Sequence, residues 1–219
     1  MHINVANPKV DYFPLLELRK NMYILLQKLL SQPLSKNDYI QIKSNGNLDV
    51  IKDFGEGGEI IYNFFTVDNG TNPSVHEQEY YKLFIGPGTL LAPPWESVYR
   101  GRDRILYDYP SLEVAKIYDS FGLELIERNI EAEDHLVIEL EFMIHLIESS
   151  SKENGIVSRF IDGQDLMLSQ HLSKWIPGFT RDVLDNTEST LYRGLALLLN
   201  DFISFDTAYI KELSLQEIR

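Results

Sequence analysis

Apolar residues along this chain recur at three- and four-residue intervals far more often than at every second position, and that period predicts helices rather than strands. After Pro14, the positions Leu15, Leu18, Met22, Leu25, Leu26, Leu29 and Leu30 form one such series, and Pro33 marks its end. Proline suits the first turn of a helix, where its missing N–H has no intrahelical partner to lose. A second helical pattern covers 48–66, with apolar pairs on either side of Gly55-Glu56-Gly57-Gly58. Glycine is costly there, so this helix rests on its flanks. Ser74 and Glu77 stand three apart, the spacing at which a hydroxyl and a carboxylate reciprocally satisfy the free amides of a helix start. Leu83 and Phe84 lie one turn past Tyr80, and Gly86-Pro87-Gly88 supplies the stop.

Further along, 111–121 carries Leu112, Ala115, Tyr118 and Phe121 on one side, with Gly122 as its stop. The segment from Asp134 to about Ser149 places Leu136, Leu140, Met143, Ile144 and Ile147 on a buried face. Helices follow at 156–172, with Ile161, Leu168 and Leu172, and at 189–204, with Leu191, Leu195, Leu198, Leu199 and Phe202. Between them a shorter piece around Trp175 and Phe179 is broken by Pro177. Alternating patterns are isolated, and no repeat or low-complexity linker divides the chain. The expectation is an all-α fold.

One stretch interrupts the helices. "GPGTLLAPPWESVYRG", Gly86 to Gly101, sets Leu90, Leu91, Pro93, Pro94, Trp95, Val98 and Tyr99 in an apolar loop stiffened by two prolines. Such a loop fits either a lid on the core or a rigid aromatic wall for an apolar peptide, since a preorganised anchor loses little entropy on binding.

Composition narrows the chemistry. A chain of 219 residues, 44% of them hydrophobic, can bury a sizeable core. It contains no cysteine, which excludes disulfide staples, thiolate metal sites and cysteine nucleophiles. No segment approaches the roughly 18 uncharged apolar residues a membrane span needs, and no cationic leader precedes an apolar run, so a cytoplasmic protein is expected. A net charge of −13 argues against nucleic acid, whose phosphates need clustered Lys and Arg, and favours a cationic partner drawn in by electrostatic steering.

Catalytic patterns are missing. There is no phosphate-cradling G-x-x-x-x-G-K-[ST], no G-x-S-x-G and no H-E-x-x-H. His135 and Glu139 stand one turn apart but lack a third metal ligand, and His145 lies too far along the helix. Glu139 and Glu141, two apart, point in diverging directions, while Glu131, Glu133 and Asp134 stand where carboxylates satisfy a helix start. No catalytic residue, metal or cofactor is expected.

Three blocks nevertheless carry a resemblance. "YYKLFIGPGTLLAPPWESVYRGRDRILYDYPSLEV" (80–114), "EAEDHLVIELEFM" (131–143) and "HLSKWIPGF" (171–179) resemble, in order and spacing, the signature segments of the TorD/DmsD-type cytoplasmic redox-enzyme maturation chaperones, in the DmsD-like branch. Ala132 and Lys174 stand where that family often has proline. The resemblance implies an all-α helical bundle of two closely packed lobes, 1–122 and 134–219, joined by a hinge at 123–133 and open to being counted as one domain. It also implies a non-enzymatic chaperone, monomeric or lobe-exchanged, that binds the twin-arginine signal peptide of a molybdopterin oxidoreductase of the dimethyl sulfoxide reductase type and retains the precursor until its cofactor is loaded.

By resemblance the peptide contacts are Trp95 with Pro94 and Glu96, then Asp134 and His135, then Phe84 and Tyr99. The residue chemistry fits such a ligand: Trp95, Phe84, Leu91 and Pro94 suit its apolar part, and Asp134, Glu131 or Glu133 suit guanidinium groups. Two other functions stay open at this stage, direct binding of the molybdenum cofactor or a guanine nucleotide, and docking on the mature enzyme.

Overall fold

In a computed structural model, residues 13–44, 48–67, 73–125, 131–152 and 157–217 are described. They form eleven α-helices: α1 (Phe13–Ser31), α2 (Lys36–Ser44), α3 (Leu48–Ile51), α4 (Gly55–Thr66), α5 (Pro73–Tyr80), α6 (Glu96–Arg100), α7 (Tyr109–Ser120), α8 (Leu136–Lys152), α9 (Val157–Leu166), α10 (Ser173–Asn186) and α11 (Thr190–Glu217). Wide π-helical turns, Tyr81–Ile85 and Met167–Leu172, prolong α5 and join α9 to α10. The one extended pairing among the described residues sets Trp95 against His135. The all-α expectation holds.

The expected apolar faces of the first and last helices are buried. Met22, Tyr23, Leu26, Leu29 and Leu30 of α1 are inside, and α1 packs on α8. Leu191, Leu195, Leu198, Leu199 and Phe202 of α11 are buried, and α11 packs on α4 and α10. A single contiguous hydrophobic cluster runs from Met22 to Ile210. Of the expected hinge at 123–133, residues 126–130 lie outside the described residues.

Three details depart from the sequence pattern. The 48–66 segment is two helices, and its glycines mark a close approach. A Cβ on Gly57 would lie 2.2 Å from the Leu198 amide nitrogen of α11, and one on Gly58 would lie 1.7 Å from the Ile51 carbonyl oxygen. In α7 the buried side is Pro110, Ser111, Val114, Ile117 and Tyr118, whereas Leu112 is 63% exposed. Ser111 is held inward by its hydroxyl, which donates to Asp134 at 2.6 Å, and Leu112 is thereby turned about 100° away. Finally, Pro177 does not break α10. It lies in the second turn of that helix, on an exposed side, where the amide it lacks would have reached only the first residue of α10.

A buried polar node binds distant parts of the chain. Arg19 and Asp206 are fully buried and ion-paired. Arg19 Nη2 donates to Asp206 Oδ2 at 3.0 Å and to Gln164 Oε1 at 2.7 Å. The Tyr23 hydroxyl donates to Asp206 Oδ2 at 2.6 Å. Removing one partner of such a pair leaves an uncompensated buried charge, which costs about 3–5 kcal/mol. The node therefore locks α1, α9 and α11 in register.

Candidate functional site

The 86–101 loop is fixed by backbone bonds at both ends. Gly86 adopts φ +98°, a conformation glycine reaches without steric penalty, and its N–H donates to the Tyr81 carbonyl at 2.7 Å. Ala92 N–H then reaches the Leu83 carbonyl at 3.0 Å. At the far end, Glu96 N–H donates to the Asp134 carbonyl at 3.1 Å and Leu136 N–H to the Pro94 carbonyl at 2.8 Å. These two bonds clip the loop to the start of α8. They pair Trp95 with His135.

Beneath the clip sits a group of buried carboxylates. Asp134, fully buried, accepts from the Ser97 amide and the Ser111 hydroxyl, each at 2.6 Å, so it caps α6 from another segment. Glu96, also fully buried, pairs with Arg100 and meets His171 Nδ1 at 2.9 Å. Glu139 accepts from the Trp175 indole N–H at 3.0 Å. Burial, reinforced by the Glu96 charge, pushes the Glu139 carboxyl well above its ordinary range.

The outer edge is different. Trp95 is half-buried, and its indole N–H donates to Glu131 Oε1 at 2.7 Å. The ring stands edge-on to His135, with centroids 5.1 Å apart and planes at 78°. His135 Nδ1 accepts from the Val137 amide at 3.2 Å, which assigns the ring proton to Nε2. Burial lowers the His135 pKa, although Glu131 and Asp134 oppose the shift. Glu131 Oε1 also accepts from the Ala132 amide at 3.1 Å. Its second oxygen and both carboxylate oxygens of Glu133 accept nothing among the described residues, and both side chains are partly exposed.

The expected contact residues thus separate into two groups. Trp95, Glu131 and His135 meet at a partly exposed edge, with Glu133 partly exposed two residues along from Glu131, while Leu91 packs against the core from the loop. Pro94, Glu96 and Asp134 are buried, and Phe84, 2% exposed, stacks on Phe179. These four build the edge from behind and offer no surface of their own. Tyr99, one turn beyond Trp95 on α6, stacks on Trp175 with centroids 5.6 Å apart. Sequence reasoning did not single out Glu139 or His171 as parts of one network with Glu96. Their separation along the chain hides the association, and only their places within the second and third blocks hinted at it.

Comparison with known proteins identifies the family. The sequence profile described as "Nitrate reductase delta subunit" matches residues 64–181, more than half of the chain. The chaperone protein TorD of Vibrio parahaemolyticus is 30% identical over 135 residues, which cover 60% of this chain and 62% of that relative. TorD of Photobacterium profundum is 22% identical over 204 residues, covering 89% and 94% of the two chains. The Tat proofreading chaperone DmsD of Salmonella typhi is 31% identical over 121 residues, or 55% of each. The first of these matches spans just under two thirds of the relative's length. With the profile spanning the loop, the buried carboxylates and the start of α10, this chain belongs to the nitrate reductase delta subunit family, and within it resembles the TorD and DmsD chaperones.

Proposed function

We propose that this protein is a cytoplasmic, non-enzymatic chaperone that binds the twin-arginine signal peptide of a molybdopterin oxidoreductase of the dimethyl sulfoxide reductase type and retains the precursor until its cofactor is inserted. The observation that carries the reading is the partly exposed edge, where an anchored tryptophan stands beside a carboxylate with an oxygen that no donor among the described residues occupies. The peptide's apolar stretch lies against Trp95 and Leu91, and its guanidinium groups are received by Glu131 and Glu133 as charge-assisted hydrogen bonds. The buried set, Phe84, Pro94, Glu96 and Asp134, holds that edge in place. Tyr99, stacked on Trp175, supports α6 behind the edge, and His135 supports the indole. The names of the TorD and DmsD relatives support a chaperone, and the net charge of −13 favours encounter with a cationic ligand.

Calorimetric titration with a twin-arginine signal peptide from a dimethyl sulfoxide reductase-type enzyme tests this reading. Saturable binding is expected, weaker when both arginines are replaced by glutamine and weaker at high salt. Equal binding of the arginine and glutamine peptides would remove the carboxylate edge from the recognition. Binding to the mature enzyme without its signal, but not to the peptide, would replace the proposal with docking on a folded client.

A further inference from the structure

A second cleft opens on the other side of α6. It encloses about 340 Å³ between α6, the segment after it and α10, and its walls include Tyr99, Arg104, Lys174, Pro177, Gly178 and Arg181. Three of these six are cations, in a protein whose net charge is −13. Arg104 is occupied: its guanidinium bonds Asp182 at 2.6 Å and lies over the Tyr99 ring, 5.1 Å from the centroid. Lys174 and Arg181 are exposed and meet no carboxylate among the described residues. They flank the cleft with their charges uncompensated.

The floor between them is low and firm. Pro177 is exposed and Gly178 contributes no side chain. A Cβ on Gly178 would come within 2.9 Å of Tyr99 Cδ1, so glycine lets the tyrosine ring lie flush against α10. Behind the ring stands Trp175, fully buried. The Tyr99 hydroxyl is shielded from water and lies beside the Asp182 carboxylate and the Arg104 guanidinium, which already engage each other.

The spacing of the free cations selects among anions. Lys174 and Arg181 are seven residues apart on one helix, about 10 Å along its axis. A lone phosphate or carboxylate pairs with both only if the two long side chains fold toward each other, which costs rotamer entropy. A peptide in the polyproline II conformation rises about 3.1 Å per residue with three residues per turn, so its carboxylates at positions i and i+3 share one face about 9 Å apart and meet the two cations together. We propose that this cleft docks an acidic, extended stretch of a client polypeptide, separate from the cationic peptide received at the Trp95 edge.

Fluorescence anisotropy with the full-length protein and end-blocked labelled peptides provides the test. The probe is Gly-Glu-Ala-Ala-Glu-Gly, with its glutamine counterpart and a peptide of the same composition carrying adjacent glutamates as controls. The i, i+3 peptide is expected to bind roughly tenfold more tightly than either control, because only it engages both cations at once. Lys174→Glu with Arg181→Glu abolishes this preference and leaves thermal unfolding and twin-arginine peptide binding unchanged, since both residues are exposed and remote from Trp95. Equal binding of the adjacent-glutamate peptide, binding that survives the double reversal, displacement by equimolar inorganic phosphate, or no binding at all would each overturn the proposal. Loss of twin-arginine binding in the unmodified protein bears on the Trp95 edge alone.

Discussion

Five carboxylates lie within a few residues of the clip between the 86–101 loop and α8, and they fall on two sides of it. On the inner side, Asp134, Glu96 and Glu139 are fully buried, and each bonds at least one internal donor: the Ser97 amide, the His171 ring or the Trp175 indole. On the outer side, Glu131 has one oxygen engaged by Trp95 and Ala132, and Glu133 has neither engaged among the described residues. The residue type is the same. What separates scaffolding from recognition is whether an acceptor remains open once the fold is complete. A buried carboxylate must be satisfied internally, so the inner three set the loop's position, and the outer two are the ones the proposed function assigns to the peptide.

The largest effect that would break this contrast is on the inner side. Asp134→Ala leaves the Ser97 amide without its acceptor in a buried place, and is expected to cost about 3 kcal/mol in urea unfolding, while Asp134→Asn costs less. An alanine variant of unchanged stability would show that the loop is held by its backbone clip alone. Next comes Trp95→Ala, expected to weaken twin-arginine peptide binding tenfold or more while moving stability by less than about 1 kcal/mol, because the ring is half-buried. A large stability loss with unchanged binding would return Trp95 to the scaffold.

A smaller effect concerns the buried Glu139 carboxyl. Because burial holds Glu139 above the ordinary carboxylate range, the folded protein keeps a proton that the unfolded chain releases as pH rises through that range. Stability therefore falls from mildly acidic pH toward neutrality. Glu139→Gln removes the titration and is expected to raise Tm at pH 7 by about 2–4 °C, on the order of 1 kcal/mol, with the gain vanishing near pH 4. A gain that persists at pH 4 would assign it to packing. The smallest effect is Glu131→Gln, which keeps the indole's acceptor. It is expected to weaken peptide binding about threefold and to flatten its salt dependence, as for a partly exposed ion pair.

The contrast between α7 and α11 shows what the sequence made legible. The stripe Leu191, Leu195, Leu198, Leu199 and Phe202 is buried as its spacing requires, because apolar contacts are non-directional and follow the helical period. In α7 one directional bond, from Ser111 to Asp134, rotates the helix against its apolar pattern, and such a bond to a residue 23 positions away leaves no periodic trace. The candidate site was legible in the same uneven way. The proline pair and tryptophan announced a rigid loop, but which of the neighbouring acids end buried was not visible. The clip that decides it is made by backbone groups, which every residue carries.

Arg19 and Asp206 stand 187 positions apart. As the chain emerges from the ribosome, Arg19 is made early and its carboxylate partner near the end, with the Gln164 amide oxygen of α9 between them in order of synthesis. Until α11 is added, the guanidinium has neither Asp206 nor the Tyr209 ring that lies against it. This part of the core therefore closes only when the last helix docks.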